Sequence, residues 1–281
     1  MIGNPNDLIN SLKTKSIKTG YDLKDKSEFS TVRKILVDFG LSTVNFDNNL
    51  KTLIIDESSK SIGYNPKSNT IYGIKKGVEL IHELFHMSSN KNNGDSSHGA
   101  YSSKGYGKSL NEGFVDYLTF ITNNANYRSV YSVEESYADF LKELYGDELL
   151  QKFIEGDVNN FYNSFGNDRS EVVLLTKLLD VFTNRMIQSR DIMFDTNFEG
   201  SKVDAISECY DKAFDALLVF VIKLVNYYKK KDSARVLEYL NDIEDIIYYN
   251  YKSDVEASKY RSFDNYIKLI ENNIKNLDRG V

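Results

Sequence analysis

The chain has 281 residues, 41% of them apolar and 27% charged, which is enough to bury a sizeable core and argues against a disordered tail or a fibre. A net charge of −6 and a pI near 5.3 leave out the electrostatic footprint of a general nucleic-acid binder. The single cysteine, Cys209, excludes an internal disulfide and with it a disulfide-built secreted scaffold.

The N-terminal stretch MIGNPNDLINSLKTKS has no apolar run of signal-peptide type. A cytoplasmic location is therefore the expectation, with a secreted form whose leader has been trimmed as the alternative. Only two prolines occur, Pro5 and Pro66, which favours long uninterrupted helices. Phe29, Val32, Ile35 and Leu36 recur at helical spacing, so a first helix is predicted to end at Gly40. STVNFD, KTLIIDES, SIGY and NTIYGI then alternate apolar and polar residues. With the turn-formers Asn65, Pro66, Lys67 and Ser68 before the last, they read as a small antiparallel sheet of three or four strands.

Residues 78–90, VELIHELFHMSSN, form the next element, a helix apolar on nearly every side. Ser89 to Ser109 is crowded with Ser, Gly and Asn and reads as a long structureless connection, a type that is usually functional or mobile. Acting as a lid, it would hinge at Gly94, Gly99, Gly105 and Gly107. LNEGFVDYLTFI, from Leu110, starts another helix. Helical periodicity follows in 133–153, 171–187, 203–228, 234–250 and 262–276. The most apolar run, AFDALLVFVIKLV, contains Asp215 and Lys223 and is too short to span a bilayer, so no membrane partner is expected. Lys229, Lys230 and Lys231 read as a solvated helix end. The fold class is thus α+β and predominantly helical, with a small N-terminal antiparallel sheet in residues 1–124 and a large helical region in 125–281.

Two of the three histidines, His82 and His86, lie four apart in that apolar helix, with Glu83 between them. Residues i and i+4 share a helix face, so both imidazoles can converge on one ion, and zinc accepts such nitrogens at about 2.0–2.1 Å. Glu83, one residue round, suits a carboxylate that contacts the metal's water. Buried charges and unpaired imidazoles are costly, and a metal would compensate all three groups together. A catalytic zinc needs a third protein ligand and an open position. His98 lies in the Ser/Gly-rich stretch, where little would hold it. Glu112 and Asp116 are i and i+4 on the LNEGFVDYLTFI helix. A metal would satisfy the first, and an imidazole N–H of a ligating histidine the second.

HELFH followed by NEGFVD resembles the gluzincin zinc metallopeptidases, the thermolysin-like clan with an HExxH helix and a downstream NExxxD helix. The extended metzincin pattern fails, because Ser89 and Asn92 stand where its glycine and histidine would be. The resemblance covers roughly residues 68–120. It implies a zincin-like catalytic core in 1–124, zinc held by His82, His86 and Glu112, Glu83 as general base and Asp116 orienting a ligand histidine. Thermolysin uses a further histidine beyond the glutamate to stabilise the oxyanion, and none follows His98. Members of the lethal-factor and Pro-Pro endopeptidase types use a tyrosine before the glutamate. GYGKSLNE is similar, offering Tyr106 one residue off that spacing, with Tyr101 as the alternative. The implied activity is peptide-bond hydrolysis on a peptide or protein substrate, with NTIYGI either pairing with substrate as an edge strand or lying inside the sheet. Residues 125–281 would complete the cleft or recognise a partner. The alternatives are a non-catalytic zinc-containing binding or regulatory protein, and a dedicated intracellular protease cutting one regulatory partner.

Overall fold

The computed structural model describes residues 17–19, 27–59, 63–73, 76–92, 94, 96–123 and 129–278. Residues 1–16, read above for a signal segment, lie outside these, as do Ser61, Ile62 and Ile74 of the expected strands. The described residues are predominantly helical with one small sheet. Contacts group the chain into two compact units that interleave in sequence. The first is 1–105, 114–130 and 145–164; the second is 106–113, 131–144 and 165–281.

In the first unit, β1 (Ile17–Thr19), β2 (Ile54–Asp56), β3 (Gly63–Asn65) and β4 (Thr70–Tyr72) form a sheet in the order β1-β2-β4-β3. The sheet is mixed, which corrects the antiparallel expectation. β1–β2 and β3–β4 are antiparallel, but β2 and β4 run parallel with Ile55 opposite Ile71. Both isoleucines are almost fully buried, and pairing them across the sheet interior decides the register. β4 is therefore an inner strand, flanked on both sides, and has no free edge for an incoming peptide.

Helix α1 (Ser27–Asp38) buries Phe29, Val32 and Leu36. It ends as predicted, with Gly40 at φ +66° and the N–H groups of Leu41 and Gly40 returning to the carbonyls of Leu36 and Val37. STVNFD is not a strand. Val44–Leu50 forms α2, which buries Phe46 and Asn49 on one side. Its two-residue alternation was too short to tell the periods apart.

Asn49 secures the helix that follows the sheet, α3 (Val78–Ser88). The last carbonyls of a helix lack partners within it. Here the Asn49 amide donates to the Met87 carbonyl at 2.9 Å and to the Asn90 carbonyl at 2.6 Å. The Asn90 amide donates in turn to the Tyr64 hydroxyl at 2.6 Å and the Pro66 carbonyl at 3.1 Å. Burial pushes the Tyr64 hydroxyl pKa up, so it stays a protonated donor and reaches Asn69 at 2.9 Å. This buried amide network ties the foot of α3 to α2 and to the β3–β4 hairpin.

Between Ser89 and Gly107 the described residues form no helix or strand, as expected, but much of the segment is packed. Ser89, Asn90, His98, Ala100 and Ser102 are buried, and His98 and Tyr101 exchange backbone hydrogen bonds at 3.0 and 2.8 Å. α4 (Lys108–Asn123) follows, then α5 (Ser132–Tyr145), α6 (Glu148–Glu155) and α7 (Val158–Asn163). Phe114 on α4 stacks on Phe153 of α6, ring centroids 5.1 Å apart, and meets Phe161 of α7 edge-on.

The second unit is built on two long helices, α8 (Arg169–Phe194) and α9 (Lys202–Tyr228), joined by α10 (Ser233–Ile246), a π-helical turn (Ile247–Tyr251), α11 (Lys252–Glu256) and α12 (Phe263–Asp278). Tyr137–Phe220, Phe140–Tyr239 and Phe182–Phe214 ring pairs fill its core. Among the described residues, no helix is long and apolar enough to cross a membrane.

Asn49→Ala should cost about 1–3 kcal/mol, because two buried carbonyls at the foot of α3 lose a side-chain donor and that of Met87 keeps only the Asn90 N–H at 3.2 Å. Urea unfolding at neutral pH measures it, and an unchanged midpoint would count against the network as an anchor.

Candidate metal centre

The centre is carried by α3 and α4. Leu80, Leu84, Phe85 and Met87 bury α3 among apolar neighbours, which brings Glu83 and His86 inside with them at 8% and 5% exposure. α4 buries Leu110, Phe114, Val115 and Leu118, and on its other side Asp116 is also fully buried. Such burial makes partners valuable to Glu83, His86 and Asp116, while His82 and Glu112 are half-buried.

Asp116 Oδ1 lies 2.7 Å from His82 Nδ1, with the two side chains 0% and 11% exposed. Its other oxygen accepts a hydrogen bond from Ser129 Oγ at 2.6 Å. Asp116 thus keeps the proton of His82 on Nδ1 and turns Nε2 outward as a lone-pair donor. Across from it, His86 Nε2 is 3.1 Å away. Two nitrogens bound to one tetrahedral zinc would stand about 3.3 Å apart at the usual bond length. A single N–H···N hydrogen bond would also suit that distance, so the third group decides. One ligand atom from each of His82, His86 and Glu112 lies within 4.8 Å of the other two. Two imidazoles with a carboxylate match the donor set of a divalent ion such as zinc. The residues fit the metal.

The structure therefore brings together His82, His86 and Glu112 as a possible ligand group, places Asp116 behind His82, and buries Glu83 in the same helix. Tyr106 is half-buried at the head of α4, and its ring centroid is 5.4 Å from the Lys177 ammonium. Tyr101 is half-buried beside His98, ring centroids 5.6 Å apart. His98 does not join the ligand group. It is not loose, however. It is 9% exposed, its Nδ1 is 2.9 Å from the Ser96 carbonyl, and its ring packs 5.9 Å from that of His86.

Two contributors, Ser129 and Gly113, were not foreseen, and neither was what holds His98. Ser129 shows no signal in sequence. His98 is held by the backbone exchange with Tyr101, which no local periodicity announces. Gly113, within NEGFVD, marks a helix crossing: a Cβ there would fall 2.2 Å from the Glu134 carbonyl oxygen. A glycine inside an otherwise strong helix pattern is the available clue to such an approach.

Comparison with protein-family models, with curated proteins and with solved structures finds no match for this chain.

Asp116→Asn keeps the shape of the contact with His82 but removes its charge, and should weaken divalent-metal binding by about 10–100-fold. Competition against a chromogenic chelator reads this, and an unchanged affinity would detach Asp116 from the centre. Gly113→Ala should lower stability by about 1–3 kcal/mol, since α4 and α5 must separate to admit the methyl group. Thermal unfolding of the metal-free protein measures it.

Proposed function

We propose that the chain is a zinc-dependent peptidase with a zincin-like core, in which His82, His86 and Glu112 hold the ion and Glu83 is the general base. The observation that carries this reading is the convergence of the two histidines and Glu112 within ligand distance of one another, with Asp116 on the outer nitrogen of His82. A buried glutamate directly after the first histidine favours catalysis over a purely structural ion, which would take four protein ligands and need no base.

Zinc, when bound, lowers the pKa of its water toward 7 and polarises a carbonyl. The rest is the work of side chains. Glu83 takes the proton of the attacking water and delivers it to the leaving amine. Asp116 holds the His82 ring in one tautomer and orientation. The Tyr106 hydroxyl is the group proposed to donate to the developing oxyanion, with Tyr101 as its alternative. Substrate is a peptide or protein. Because β4 is an inner strand, an extended peptide has to find its pairing edge elsewhere. A lone cysteine fits a reducing, cytoplasmic setting.

Purified protein should carry zinc stoichiometrically by elemental analysis, and His86→Ala should carry none. Glu83→Gln should keep its zinc while cleavage of a peptide library drops by about 10²-fold or more. Full cleavage by Glu83→Gln would overturn the general-base assignment, and a wild type that holds zinc but cleaves nothing would make the chain a binding protein.

A further inference from the structure

The helix that bears Glu112 cannot cap itself. Its N-terminal flank is Gly107, at φ +92° and without a side chain, and its first turn holds Lys108 and no acidic residue. A helix N-terminus presents unpartnered N–H groups and partial positive charge, so glycine followed by lysine is a poor local beginning. The missing acceptor comes from α8. One carboxylate oxygen of Asp180 accepts the Gly107 N–H at 2.7 Å, and the other accepts the Ser109 N–H at 2.7 Å. The Ser109 hydroxyl lies 2.7 Å from that second oxygen, with the Thr176 carbonyl 3.3 Å away. Asp180 is 7% exposed and Ser109 is fully buried. Burial raises the Asp180 pKa against the pull of these donors. Nearby, Lys108 reaches Asn184 at 3.3 Å, so α8 grips the head of α4 at two successive turns of its own.

We propose that Asp180 is a positioning residue for Glu112. It pins the first turn of α4, and through that turn it sets where the Glu112 carboxylate stands. This inference rests on the metalloprotease reading for its purpose, but not for its geometry. The first intrahelical bond of α4, from the Asn111 N–H to the Gly107 carbonyl at 3.0 Å, begins at the residue that Asp180 holds. Glu112 follows Asn111 directly. Asp116 lies a full turn deeper and has its own bonds to His82 and Ser129. Loss of Asp180 should therefore fray the turn that carries Glu112 and spare the one that carries Asp116. A general loss of stability would not divide the helix in this way.

The test uses the full chain and two variants, Asp180→Ala and the milder Asp180→Asn, which keeps one acceptor oxygen. In metal-free protein, amide hydrogen exchange at Ser109 to Gly113 should speed up by roughly tenfold in Asp180→Ala, with little change at Val115 to Leu118 and a smaller effect in Asp180→Asn. Zinc affinity, read by chelator competition, should fall by about tenfold or more in Asp180→Ala. The same substitution on a Glu112→Ala background should add almost nothing, because the effect passes through Glu112. Exchange rising uniformly along α4, or not at all, overturns the proposal. So does an equal loss of zinc affinity with and without Glu112. If Asp180→Ala fails to fold, Asp180→Asn decides by the same two readouts. Wild-type protein that binds no zinc would end the peptidase reading alone, since the exchange pattern still decides whether Asp180 holds this turn.

Discussion

The contact between His82 Nδ1 and Asp116 Oδ1 at 2.7 Å is the constraint on which the rest of the centre depends. It is largely buried, joins α3 to α4, and leaves the His82 Nε2 facing His86 Nε2 at 3.1 Å. Removing either partner of such a buried pair typically costs about 3–5 kcal/mol, because the other is stranded without solvent. The polar groups on these two helices are therefore expensive. A fold that keeps them inside must give each one a partner, and the chain supplies Asp116 for His82, Ser129 for Asp116, the Asn49 amide and the Asn90 N–H for the end of α3, and Asp180 for the start of α4. His82, His86 and Glu112 each bring one ligand atom within 4.8 Å of the other two, a group that could hold a metal ion.

Much of this was legible from spacing. His82 with His86, and Glu112 with Asp116, are each four apart in helices that are apolar nearly all round, so both pairs had to project inward from one face. The long helices of the second unit followed from sustained periodicity and the near absence of proline. One predicted segment, 133–153, is in fact two helices broken at Gly146, whose φ is +88°. The failures share a cause. The alternation in STVNFD is local and was outvoted by the burial of Phe46 and Asn49 on a short helix. The parallel pairing of β2 with β4 depends on how the intervening chain returns, which residue pattern does not encode.

The remaining unread features are partnerships across long sequence separation. Asp180 sits in LLTKLLDVF, where one acid in an apolar helix suggests a buried partner without saying which. Asn49 gives no warning that it will finish a helix far along the chain, and His98 no warning that a backbone exchange with Tyr101 will fix it beside His86. Spacing reveals which side chains face the same way. It is silent on what stands opposite them.

The amide of Asn49 has a consequence for metal choice. It braces the foot of the histidine helix by bonds that involve no ion, so for the proposed site that end of the helix would be held before any metal arrives. A receptacle standing ready in this manner has little means of rejecting an ion by refusing to close around it. Nitrogen-rich sites bind copper(II) more strongly than zinc as a rule. Which element such a pocket carries in the cell would then be governed by local supply and trafficking rather than by the fold.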